Sequence, residues 1–186
     1  NHPVWSLECY DDYINYHGMH AMEMFNGVCL VLGYEDYNNH QYDDMLRGGE
    51  RIYCIAADDN HNGGDKNSRR YDAFGGFVMI KADKLEYKTV TDAIARGDFY
   101  ASEGPEIKAL WNEDGKVHIE CSGARRITAN YGVRRGRKVE ARGELITSAA
   151  FPFDPDDNYI RITVEDENGL HANTNAYFAD EVYKTE

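Results

Sequence analysis

Positive charge is in short supply in this chain. Twenty Lys and Arg face 33 Asp and Glu over 186 residues, for a formal net charge of −13 at pH 7. Nucleic-acid phosphates are held mostly by Lys and Arg, so this balance argues against nucleic-acid binding through a basic surface. It suits a chain that stays dispersed in water. Long apolar runs are missing too: nothing approaches the roughly eighteen consecutive apolar residues that mark a spanning helix, and no membrane segment is expected. Cysteine is sparse. Cys9, Cys29, Cys54 and Cys121 form no C-x-x-C pair, which removes zinc-finger spacing. A disulfide framework is not expected at this size and density, and Cys54 and Cys121 sit in runs that read as core. The chain opens Asn1-His2-Pro3 with neither an initiator Met nor a signal-peptide pattern, and is expected to be a fragment or a cropped chain.

What is present is organised around Arg51 to Asn62, RIYCIAADDNHN. Residues 52–57 read as a buried strand, too short for an ordinary helix and preceded by a Gly48-Gly49 stop. The polar cluster falls where that strand ends. In parallel α/β sheets and barrels, side chains at the carboxyl ends of strands converge on one rim, where ligand and metal sites are built. On an extended backbone Asp59 and His61 fall on the same side, because side chains alternate with period two. A carboxylate oxygen and an imidazole nitrogen presented together suit Zn²⁺, Mn²⁺ or Fe²⁺. Taken alone, D-x-H reads first as a polar loop after a strand.

The surroundings extend this reading. Residues 10–16 look like a short helix with acidic residues in its first turn. Ala21 to Phe25 reads as a strand closed by Asn26-Gly27, and Tyr37 to Arg47 as a helix with Tyr42, Met45 and Leu46 on one face. Helix, glycine, strand is the order of an α/β repeat. Residues 62–76 form a loop too long for a simple connector, and such loops are usually functional or disordered. Its paired cations, Arg69 and Arg70, are apt to clamp an anionic group or to sit on a solvated face. Phe77 to Ile80 is the next strand. Lys84 to Arg96 contains a helix that Thr89 is expected to cap and Gly97 to end, and Phe99 to Ser102 follows as a short strand. From Ile107 onward no helix is expected: KVHIEC, RRITANY, RKVEAR, ELITSAAF, NYIRITVED and HANTNAYF alternate with turn signals, Asn168-Gly169 among them, as in an antiparallel β domain. The expected boundary lies near Pro105, dividing the chain into 1–105 and 106–186.

His2 before Pro3, Asn26, and Asp59 with His61 thus close successive extended segments, and all are predicted on one rim. His17, His20 and His40 lack partners at ligand spacing and read as structural or exposed. In order and spacing, NHPVW at residues 1–5, MEMFN at 22–26, YDDMLRGGERIYCIAADDNH at 42–61, DAIARGDFYASEGP at 92–105 and YIRITVEDENGLHANTNAYF at 159–178 resemble the PHP (polymerase and histidinol phosphatase) superfamily, in its branch with a C-terminal β domain. The resemblance implies a fold that is α/β plus all-β: part of a distorted, TIM-like β/α barrel followed by a small antiparallel β-sandwich-like domain. It implies a metal-dependent hydrolase of small-molecule phosphate esters, with two or three divalent ions (Zn, Mn or Fe) in the full-length site. By the same resemblance His2, Asp59 and His61 are metal ligands supported by Asp58 and Asn60, while Arg69, Arg70 and Asn26 face the substrate. A metal-bound water would be the nucleophile. The family's N-terminal H-x-H is absent, so this chain is expected to hold only the closing half of the site. The alternative is a non-catalytic binding or scaffold module with a vestigial metal site.

Overall fold

The computed structural model of the protein describes residues 1–183. It divides into two compact units, Asn1–Glu103 and a second that begins at Gly104.

The first unit opens with a turn and the short helix α1 (Tyr10–Tyr13), and then makes a single β-α-β crossover. Strand β1 (Ala21–Asn26) is followed by helices α2 (Gly27–Leu32) and α3 (Asn39–Arg47) and by β2 (Tyr53–Ala57). β1 and β2 pair in parallel, Ala21 opposite Tyr53 and Asn26 opposite Ala57. Both polar strand ends are therefore brought side by side. α3 forms where expected because Tyr42, Met45 and Leu46 make one apolar stripe, and all three are buried. The Tyr42 hydroxyl donates to the Ile52 carbonyl at 2.9 Å, which fixes the entry to β2, and Tyr13 donates to Asp44 at 2.9 Å, which ties α1 to α3. Helix α2 was not anticipated: GVCLVL is too short to show a helical period, and its two valines favour strand.

After β2 the crossover is not repeated. β3 (Phe77–Ile80), α4 (Tyr87–Arg96) and β4 (Phe99–Ser102) follow, and β3 pairs with β4 antiparallel, Phe77 opposite Ser102. Thr89 lies inside α4, whose N-cap position is Glu86. Gly97 ends the helix as expected, at φ +77°; a Cβ on it would stand 2.2 Å from the Tyr53 ring, so glycine alone permits both the left-handed turn and the close approach.

The second unit is antiparallel throughout. β5 (Ile107–Glu113), β6 (Lys116–Ala124) and β9 (Ile146–Pro152) form one sheet, with β6 in the middle. β7 (Arg126–Tyr131), β8 (Gly136–Glu140), β10 (Tyr159–Glu165) and β11 (His171–Thr174) pair in the order β11-β10-β7-β8, and β12 (Tyr177–Phe178) also pairs with β10. The alternation is regular: Val117, Ile119 and Cys121 of β6 and Ile127, Ala129 and Tyr131 of β7 are all buried. The turn between β10 and β11 holds Asn168-Gly169. Two short helical turns, Pro155–Asp157 and Ala179–Val182, interrupt what was expected to be helix-free sequence.

The expectation of a partial β/α barrel is thereby corrected. The described residues are mostly β, with twelve strands, helices at 20 %, and no closed barrel. The order strand, helix, strand in residues 77–102 reads as another α/β repeat, but element order does not fix the direction in which the second strand returns. Here it returns antiparallel.

Candidate functional site

The paired ends of β1 and β2 hold a connected polar cluster. Asn26 is fully buried and N-caps α2, its Oδ1 accepting from the Cys29 N–H at 2.9 Å. Its amide nitrogen then donates to Glu23 Oε1 at 3.2 Å and Asp59 Oδ2 at 3.3 Å, bridging two carboxylates. Glu23 is 6 % exposed, and its second oxygen has no hydrogen-bond partner among the described residues. The Cys29 thiol beside them is pushed up in pKa by burial first, then by the charges of Glu23, Asp59 and Asp36.

The loop after β2 is fastened at both ends by carboxylates. Asp58 accepts from the N–H groups of Phe74, Gly75 and Gly76 at 2.6, 2.7 and 2.8 Å, while its carbonyl accepts from Val28 N–H at 2.9 Å. Asp72, a buried side chain, accepts from the backbone N–H of His61 at 2.7 Å, from Gly63 N–H at 3.2 Å and from the Asn60 amide at 3.0 Å. The His61 N–H is the leading reason the Asp72 carboxyl lies below its ordinary pKa. These clasps bend the chain: Asp59 and Asn62 adopt φ +50° and +56°. The alternation argument that put Asp59 and His61 on one side of an extended strand therefore does not apply, because β2 ends at Ala57 and Asp59 is left-handed. The two are nonetheless neighbours. His61 Nδ1 lies 2.5 Å from the Asp59 carbonyl, which can only accept, so Nδ1 is the donor of this pair. His61 Nδ1 and Asp59 Oδ1 are 3.9 Å apart.

His2 also departs from its expected extended conformation. At φ +32° it begins a turn, its Nδ1 is 2.9 Å from Ser6 Oγ, and its ring meets Trp5 edge-to-face at 5.0 Å. A cavity of about 470 Å³ nevertheless collects it with the rest: His2 and Trp5, Cys29 and the α2 side chains, Asp59, His61, Gly63, Arg70 and Asp72 all line it.

No known family, curated protein or solved structure matches this chain.

Of the six residues singled out in the sequence, His2, Asp59, His61 and Arg70 line the cavity. Asn26 lies beneath it with its side chain engaged internally, and Arg69 is exposed outside its lining. Asp58 and Asn60, expected as support for metal ligands, bond within the loop, Asp58 to the N–H groups of residues 74–76 and Asn60 to Asp72. His17, His20 and His40 pair elsewhere, with Glu50, the Ile94 carbonyl and Asp44. Asp72, Glu23 and the α2 wall were not assigned from sequence. An Asp within a Gly- and Asn-rich loop is the one available signal for Asp72, since such a side chain commonly accepts from turn N–H groups. The donor set does not complete a metal centre: among the described residues no three His, Cys, Asp or Glu side chains form a group that could hold an ion. Asp59 and His61 are two donors, and catalytic zinc usually takes three.

Proposed function

We propose that this cavity binds and hydrolyses a small-molecule phosphate ester. One observation carries the reading: His2 of the N-terminal turn and Asp59, His61 and Arg70 of the loop after β2 meet around one cavity of about 470 Å³. That volume falls in the roughly 300–1,000 Å³ range of small-molecule sites. Arg70 is the cation of the lining and can hold phosphoryl oxygens through its planar fork. In its neutral form His61, whose Nδ1 donates to the Asp59 carbonyl, presents Nε2 to accept a proton from an attacking water. Two of the lining residues, Asp59 and His2, have positive φ, a strained backbone of the kind functional sites often hold. The metal dependence implied by the PHP resemblance needs more donors than these residues bring together.

That shortfall favours a second reading, a binding module without catalysis. Both are tested by adding inorganic phosphate, and then glycerol phosphate with and without Mn²⁺ or Zn²⁺, to the chain and to its His61→Ala and Arg70→Ala variants. Hydrolysis that falls at least tenfold in His61→Ala supports the enzyme. Binding lost in Arg70→Ala without turnover supports the module, and no binding of phosphate or ester overturns both.

A further inference from the structure

The cavity lining is of two kinds. Arg70, His61 and Asp59 are its polar part, where the phosphate reading places the anion. Val28, Val31 and Leu32 of α2, at i, i+3 and i+4, are apolar, as is most of Trp5. These side chains are not packed away: Val28 and Val31 are half-buried, while Trp5 and Leu32 are 49 % and 53 % exposed. Trp5 is held at the rim by edge-to-face contacts with His2 at 5.0 Å and Tyr34 at 6.5 Å. A phosphate group alone would leave most of the cavity empty and this apolar wall wet. Small-molecule sites commonly combine an apolar lining with a few polar groups that fix orientation.

We propose that the α2 wall and Trp5 form a subsite for a flat apolar group, so that the preferred ligand is an aryl or similarly apolar phosphate ester rather than a sugar or polyol phosphate. This rests on the phosphate-ester reading and names its substrate class. An aromatic ring laid on Val28, Val31 and Leu32 buries apolar surface on both partners, and Trp5 offers a π-face or edge at the same rim. A polyol in that place would lose water from its hydroxyls with no donor or acceptor on Val28, Val31 or Leu32 to replace it.

The test is calorimetric titration of the chain with phenyl phosphate, glycerol phosphate, inorganic phosphate and benzyl alcohol, repeated with Leu32→Gln and Trp5→Ala. Both substituted side chains are about half exposed, which favours retention of the fold, and unchanged far-UV dichroism confirms it. The expected result is phenyl phosphate bound at least tenfold tighter than glycerol phosphate or inorganic phosphate. In both variants the advantage shrinks at least threefold while inorganic phosphate is unaffected. Equal affinity for the two esters overturns the subsite and leaves the phosphate reading standing. Benzyl alcohol bound, with its affinity reduced in the variants and no gain from the phosphate of phenyl phosphate, keeps the subsite and overturns the phosphate reading. No ligand bound overturns both.

Discussion

Asn26→Asp changes one atom and reverses the logic of the cluster. The oxygen that caps α2 is kept, so Cys29 N–H still has its acceptor at 2.9 Å. The amide that served Glu23 at 3.2 Å and Asp59 at 3.3 Å becomes a third acceptor facing two carboxylates. Each lost bond to a charged group is worth about 1.5–3 kcal/mol, and these bonds are long, so the lower end applies and the pair contributes about 3 kcal/mol. Repulsion adds to this, discounted on the Asp59 side, whose side chain is 39 % exposed. The total is capped because the new carboxyl can take up a proton, at about 1.4 kcal/mol per pH unit. We therefore expect a loss of about 3–5 kcal/mol at pH 7, or roughly 6–20 °C in Tm for a chain of this size.

The pH dependence has a definite sign. A buried carboxyl flanked by two others binds its proton more tightly folded than unfolded. The variant is therefore closest to the wild type below about pH 4 and falls behind as pH rises, with the gap widest near neutrality. Thermal unfolding followed by Trp5 emission in a Trp111→Phe background, at about pH 4.5, 6 and 7.5, reads the unit that holds Asn26. Adding Glu23→Gln, which supplies an amide donor in place of a carboxylate, should recover part of the loss. An Asn26→Asp protein that melts within a degree of the wild type at every pH would refute the bridge as a structural element.

Three further outcomes follow from the same geometry. Gly97→Ala forces φ +77° on a residue with a Cβ and drives that atom to 2.2 Å from the Tyr53 ring, so we expect a loss of about 2–4 kcal/mol in chemical denaturation. Tyr42→Phe removes the donor to the Ile52 carbonyl in a fully buried position, for a loss of about 1–2 kcal/mol by the same measurement. Because the Asp72 carboxyl is held below its ordinary value of 3.8, the loop clasp is complete above that pH and is lost as pH falls through the lowered value. The amide resonances of His61 and Gly63 should shift together on acidification, whereas in Asp72→Ala, which leaves no acceptor, they should sit at their released positions already near neutrality.

The cluster was legible in the sequence for a reason that survives the loss of the barrel. Residues at the carboxyl ends of adjacent parallel strands must come together, and β1 and β2 are such a pair, so Asn26 and Asp58 to His61 meet whether or not further strands complete a ring. What strand-end logic does not reach is the role each residue takes after it arrives. Asn26 was read as facing substrate, yet a side chain at the junction of a strand and a following helix is the nearest group able to accept from the first turn's N–H, and the unrecognised α2 supplied that demand. Asp59 and His61 were paired by an alternation that presumes extended backbone. They are paired instead by Asp58 and Asp72, whose carboxylates take up the backbone N–H groups of residues 74–76 and of His61 and Gly63, respectively, and so fasten the loop. Such long-range side-chain-to-backbone bonds leave no period in the sequence. The fold class failed on the same point: local patterns specified which residues form β3, α4 and β4, while the antiparallel return of β4 is set by contacts that no local pattern contains. A polar cluster built from adjacent strand ends can therefore be located from sequence in a chain whose sheet topology cannot.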